Sequence, residues 1–145
     1  MIQPWASPDP QDLAGEQLEQ AKSQADLEGE LFNFADKGHS ADLIGKVKLG
    51  DTEAFRIKLT RENGTIVNYF IDADSYMISK VQAKVEAMGQ SVDVEQRMVE
   101  YKDYNGIKIA TKIESDSPMG TATITIEDIK FNEDIDDAVF AKPAK

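Results

Sequence analysis

The chain has 145 residues, 30% of them charged and 41% apolar, with a formal charge of −11 and an isoelectric point near 4.5. That length suits one domain, 1–145, able to bury about 68–70% of its unfolded surface, and the composition suits a globular rather than a disordered chain. An acidic chain without a basic cluster argues against nucleic acid and anionic membrane surfaces as partners, since both need grouped Lys and Arg; the absence of Cys excludes disulfides and thiolate chemistry.

No run of about 18 apolar residues occurs, so no transmembrane segment is expected. Met1-Ile2-Gln3-Pro4-Trp5 has neither the basic nor the apolar region of a signal peptide, which leaves a cytosolic chain or part of a longer exported one. Pro4, Pro8 and Pro10 predict a loop-like entry, and Asp9-Pro10 is a good helix start, with Asp9 as N-cap. Ala14, Leu18, Ala21 and Ala25 then form a weakly apolar stripe, which predicts a helix over about 10–25 lying on a sheet. Gly29 and Gly38 break the pattern that follows, so Asp26–Ser40 reads as a short helix or irregular segment at one sheet edge. The entry is therefore 1–41, the sheet 42–132 and a tail 133–145.

From Leu43 to Phe131 the chain alternates strand and turn, rich in Ile, Val, Thr, Tyr and Phe. Strands are predicted at about 42–49 and 53–61. Asn63-Gly64 signals a two-residue type I′ hairpin. It pairs Arg61 with Ile66 and Ile57 with Phe70, and places Phe55, Ile57, Leu59, Ile66 and Phe70 on one face. The other face then carries Arg56, Lys58, Thr60, Val67, Tyr69 and Ile71. A loop at Gly89-Gln90 sets Val85 opposite Val94, Val81 opposite Met98 and Lys84 opposite Glu95. Asn105-Gly106 places Met98 beside Ile113, and the Ser117–Gly120 turn places Ile113 beside Ile124. One apolar face thus runs through Val81, Val85, Val94, Met98, Ile109, Ile113 and Ile124. The apolar phase slips between Ile126 and Ile129, which predicts a bulge near Glu127-Asp128. Asp134–Phe140 reads as one helical turn docking Val139 and Phe140.

Candidate chemistry is sparse. His39, the single histidine, has no Cys or second His with which to form a zinc site, and reads as a turn residue. Asp72-Ala73-Asp74-Ser75 opens like a calcium loop, but Met77 and Ala83 stand where an EF-hand needs Gly and Glu. An Asx-type turn is the better reading. Glu127, Asp128, Glu133, Asp134, Asp136 and Asp137 could bind a cation or serve as acid and base, but a solvated face guarding a strand edge is the better reading. Glycines occur singly at turns, so no phosphate loop is visible. No catalytic residue, metal ligand or cofactor is expected. The apolar face is the remaining feature, with Phe55, Ile57, Phe70, Val81, Val94, Met98, Ile113 and Ile124 as candidate lining of a hydrophobic ligand site.

Asp26-Leu27-Glu28-Gly29-Glu30-Leu31, Lys37-Gly38, Asp42-Leu43-Ile44-Gly45 and Glu53–Leu59 resemble bacterial outer-membrane lipoprotein-sorting (LolA/LolB-like) proteins. So do Asn68–Ile78, Tyr101–Ala110 and Phe131–Phe140, so that the resemblance covers about residues 1–141. It implies an α+β, mainly antiparallel fold: an incomplete half-barrel of about seven strands with an N-terminal helix packed on it. It further implies a periplasmic, non-enzymatic protein whose concave apolar side shelters a lipid or the acyl chains of a lipidated protein. Family members begin with a signal sequence and further strands, so this chain is expected to match the C-terminal part of the family unit. The alternative is a structural or interaction module of a larger envelope protein with no ligand of its own.

Overall fold

The computed structural model describes residues 31–87, 90–118 and 120–141, preceded by 14, 15, 18, 21, 22, 26 and 28–30. The chain divides into two compact units. One is Leu31–Ile129, which holds the sheet; the other is Met1–Glu30 with Lys130–Lys145.

Seven strands form one open, curved antiparallel sheet in sequence order: β1 Ser40–Leu49, β2 Thr52–Thr60, β3 Ile66–Asp72, β4 Ile78–Ala87, β5 Gln90–Tyr104, β6 Ile107–Ser117 and β7 Gly120–Thr125. Each strand pairs with the next, as expected for β-branched runs separated by short turns. The mainly antiparallel, seven-stranded expectation therefore holds. The N-terminal helix does not emerge: no helix is defined among the described residues there, and only Leu18, Ala21 and Lys22 carry helical backbone. Most of the predicted 10–25 helix, and its packing, lies outside the described residues. Leu31–Gly38 is a run of turns, with Asn33 at positive φ.

The turns fix which side chains share a face. At Asn105-Gly106 both residues take positive φ, 56° and 89°, giving the predicted two-residue turn and the pair Tyr104↔Ile107. Ser117↔Gly120 and Ile113↔Ile124 also match expectation. At Asn63-Gly64 the structure corrects the sequence reading. Only Gly64 has positive φ (82°), Gly64 N–H donates to the Arg61 carbonyl (2.8 Å) and Arg61 N–H to the Thr65 carbonyl (2.9 Å). This is a type I turn closed by a glycine bulge, a loop one residue longer than type I′. Glycine is favoured there because the left-handed region carries no Cβ penalty for it. The register becomes Leu59↔Val67, Ile57↔Tyr69 and Arg56↔Phe70. A one-residue shift exchanges faces. Val67, Tyr69 and Ile71 join Phe55, Ile57 and Leu59, whereas Ile66 and Phe70 join Arg56 and Lys58.

Two other corrections concern β4–β5 and the last strand. Ala87↔Gln90 sets Val85↔Val92, Val81↔Gln96 and Lys84↔Asp93, two residues from the predicted register, so Val81, Val94 and Met98 keep their face. The predicted loop, Gly89-Gln90, falls partly on 89, outside the described residues. β7 stops at Thr125, where Ile126 N–H still donates to the Thr111 carbonyl (2.8 Å). The phase slip before Ile129 is a strand end, not the bulge expected at Glu127-Asp128. Bulges occur instead in β1 between Leu43 and Gly45, between β3 and β4 at Phe70/Ile71, and between β5 and β6 from Met98 to Tyr101.

Among the described residues, Leu59, Val67, Ala54 and Phe70 are the buried apolar ones and Thr111 the buried polar one. In the second unit, Asp137–Phe140 is a 3-10 turn capped by Asp136, whose carboxylate accepts the Ala138 N–H at 2.9 Å; it contains no buried residue.

Candidate functional site

Rows of directly opposed residues share a side of an antiparallel sheet. One row reads Leu43, Ile57, Tyr69, Val81, Gln96, Ser115, Ala122, and the next Ala41, Leu59, Val67, Ala83, Val94. Met98, Ile113 and Ile124 continue the same side. Phe55, Ile57, Val81, Val94, Met98, Ile113 and Ile124 thus fall on one side of the sheet. Phe70 does not: it faces the other way, opposite Arg56 and Lys80. On the shared side, here the Phe55 face, Leu59 and Val67 are buried, most other members are half-buried, and Leu43 and Ile124 are exposed.

The opposite, Arg97 face is built from charge. Its rows are Arg56, Phe70, Lys80, Arg97, Glu114, Thr123 and Lys58, Asn68, Gln82, Glu95, Asp116, Thr121. The Arg97 guanidinium reaches Asp116 (2.7 Å), Glu95 (3.2 Å) and Glu114 (3.3 Å). Glu95 also meets Lys80 (3.4 Å) and accepts from Gln82 Nε2 (2.7 Å). Thr121 Oγ1 donates to Asp116 (2.6 Å), and Arg56 donates twice to Asn68 Oδ1 (2.9 and 3.1 Å). Lys80 also sits 4.6 Å from the Phe70 ring centroid.

These contacts move protonation in consistent directions. Glu114, with Asp116 and Glu95 behind it, holds the Arg97 proton more tightly than usual. The Thr121 hydroxyl, then Arg97, lowers the Asp116 pKa. Burial is the largest influence on Glu95 and pushes its pKa up, but Gln82, Lys80 and Arg97 together outweigh it, and the net shift is downward. This network closes on itself, carboxylate against cation, and acts as a cross-strand clamp. The sequence reading missed it. Its signal was the period-2 alternation of Lys80-Gln82, Glu95-Arg97 and Glu114-Asp116, which becomes informative only once the register is known.

The other sequence candidates are local devices. His39 Nδ1 accepts the Glu62 N–H (3.3 Å) and ties the segment before β1 to the β2–β3 hairpin. Asp72 Oδ1 accepts from Ser75 N–H and Oγ (both 2.7 Å) and from Asp74 N–H (3.2 Å), the expected Asx arrangement, and the Ser75 N–H bond is the main reason its pKa is lowered. In the acidic run after β7, Glu133 pairs with Lys130 at 3.5 Å. Among the described residues no group of His, Asp and Glu is arranged to hold a metal ion, and no helix is long and apolar enough to cross a membrane.

No protein-family model and no curated protein matches the sequence. Among solved structures the chain is similar to the crystal structure of a DUF1329 family protein from Desulfovibrio piger, with a TM-score of 0.58 and 13% identity over 72% of this chain. At that identity the likeness is one of fold. The chain spans 45% of the length of that protein.

Proposed function

We propose that the sheet is a LolA/LolB-like half-barrel of the bacterial envelope that binds acyl chains, of a lipid or a lipidated protein, on its Phe55 face without catalysis. The observation that carries this reading is the contrast between the two faces. One is mainly apolar from Leu43 to Ile124, with Gln96 and Ser115 as its polar members in the central row; the other is occupied by a charge network that satisfies itself. Acyl methylenes replacing water against Phe55, Ile57, Val81, Val94, Met98, Ile113 and Ile124 would gain about 0.8 kcal/mol per buried CH₂. Native mass spectrometry together with displacement of a fluorescent fatty acid tests it. Saturable one-to-one binding, weakened by Met98→Gln or Ile113→Asn, is expected. Absence of binding in both assays would sink the proposal.

A second reading is favoured by the chain's spanning only 45% of its structural neighbour. In it the same face packs against further strands of a larger envelope protein. Co-expression with any adjoining encoded segment separates the two: under this reading the segment raises stability and abolishes fatty-acid binding.

A further inference from the structure

The bulge in β1 changes the chemistry of one corner of the Phe55 face. With unbroken alternation after Leu43, Val47 and Leu49 would share its side and Lys46 and Lys48 would take the other. The extra residue, Ile44, reverses this. Leu43↔Ile57 is followed by Gly45↔Arg56, Lys46↔Phe55, Val47↔Ala54 and Lys48↔Glu53. Gly45, at φ 136°, makes the switch in a region where a side chain is strained. Two lysines thereby reach the apolar side, while Val47 moves opposite the buried Ala54. Bulges re-aim side chains in this way.

The corner is also aromatic. Lys46 Nζ lies 5.2 Å from the Phe55 ring centroid and 3.4 Å from Glu53 Oε2. Lys48 has no ion pair among the described residues. Phe55 stacks on Tyr76, with centroids 6.3 Å apart and rings inclined by 16°. Tyr76 holds φ at 58°, uncommon for a bulky residue, and the residue is 69% exposed. The Asx turn enforces this: Tyr76 N–H donates to the Asp72 carbonyl (3.0 Å) and Asp72 N–H to the Met77 carbonyl (2.9 Å). Lysines on an edge strand discourage stray pairing wherever they point. That role requires neither a switch onto the apolar side nor an aromatic ring fixed beside it, and backbone strain kept at an exposed ring argues for a use of its orientation.

We propose that Lys46 and Lys48, beside Phe55 and Tyr76, form a head-group site for an anionic amphiphile whose acyl chain lies along the Phe55 face. This rests on the acyl-binding reading and narrows it from acyl chains in general to those bearing a carboxylate or phosphate. A chain of charge −11 repels anions at a distance, so anion selectivity depends on cations placed at the ligand.

The test titrates oleate, 1-oleoyl-lysophosphatidic acid and uncharged 1-oleoylglycerol, each below its micelle concentration, into the full chain and the K46Q/K48Q variant by isothermal titration calorimetry. The variant is expected to lose about fivefold in affinity for the anion it binds and less than about twofold for 1-oleoylglycerol. Added salt should reproduce the loss in the unaltered protein. Binding of either anion with that selectivity supports the site, and the preference between the two distinguishes a fatty acid from a lipid phosphate. Equal losses for charged and uncharged ligands overturn the head-group site while acyl binding stands. Failure of all three to bind removes the acyl-binding reading itself. If K46Q/K48Q alters the far-UV CD spectrum, K48E replaces it; weakened anion binding is again expected, and unchanged affinity overturns the proposal.

Discussion

Replacing Leu59 by Ala should destabilise the sheet unit by about 3 kcal/mol. Leu59 is fully buried, between Ala41 and Val67 in its cross-strand row. Ladders on both sides pin the β2 backbone, so the strands have little freedom to close over a smaller side chain. The lost carbons contribute about 2.4 kcal/mol, at ~0.8 kcal/mol for each of three. A residual void of roughly 40 Å³ at ~24 cal/mol per Å³ adds about 1 kcal/mol. That is a large share of the ~5–15 kcal/mol that holds a domain together. It corresponds to a fall in Tm of roughly 12–24 °C at this size. Urea unfolding followed by far-UV CD measures it, with an unchanged m-value required for the comparison. Leu43→Ala, on the same face but 66% exposed, is the control and should stay within about 0.5 kcal/mol. A Leu59→Ala loss below about 1 kcal/mol at constant m would refute the rigidity on which the estimate rests.

Thr111→Val should be neutral or stabilise by about 1 kcal/mol, because the Thr111 hydroxyl is buried with no partner among the described residues; a loss above about 1 kcal/mol in urea unfolding would reveal a hydrogen bond there. The chain lacks Cys, so register can be read by cross-linking. Lys58→Cys with Asn68→Cys, directly opposed, should oxidise to a disulfide, and Leu59→Cys with Asn68→Cys, on opposite faces, should not; the reverse yield on a non-reducing gel would restore the type I′ register. Asp72, Glu95 and Asp116 all have lowered pKa values in the fold. Their contribution is therefore complete above the unfolded carboxylate range near about pH 4 and is lost as pH falls through the folded values. Urea midpoints should hold from pH 7 to 5 and drop below about pH 4; a midpoint that rises on acidification contradicts the assignment. Glu95→Gln should cost about 1–2 kcal/mol at pH 7 and flatten that acid limb.

How far the sequence could be read depended on the size of each register error. At Gly89-Gln90 the predicted pairing was two residues off, yet Val81 and Val94 kept their face because side chains repeat every second residue. At Asn63-Gly64 an error of one exchanged Phe70 for Tyr69. Asn-Gly serves both a two-residue and a three-residue loop, and apolar residues occupy both phases of Ile66–Ile71, so alternation could not choose between them. The β1 bulge left only Gly45 as a sign, after an uninterrupted Leu43-Ile44. The N-terminal stripe of alanines offers little apolar area to any partner element. The face residues of the candidate site were thus mostly legible, while the lysines and Tyr76 at its corner depended on a bulge and a strained turn.

The β4–β5 register also shows why opposed pairs alone mislead. The predicted pairing placed Lys84 opposite Glu95, a favourable match. The observed one places Lys80 directly opposite Arg97, two like charges that a pairwise rule rejects. Glu95, one row along, resolves the conflict: Oε2 lies 3.4 Å from Lys80 and Oε1 3.2 Å from Arg97. Arg97 then turns its second nitrogen to Glu114, and Asp116 completes the set from β6. A two-residue slip of β5 on β6 that set Arg97 opposite Lys112 would also set Glu95 opposite Glu114, and the bridge would be lost. The apolar face cannot detect such a slip, because it leaves every side chain on its side. Register across β4, β5 and β6 is therefore held by the charged face.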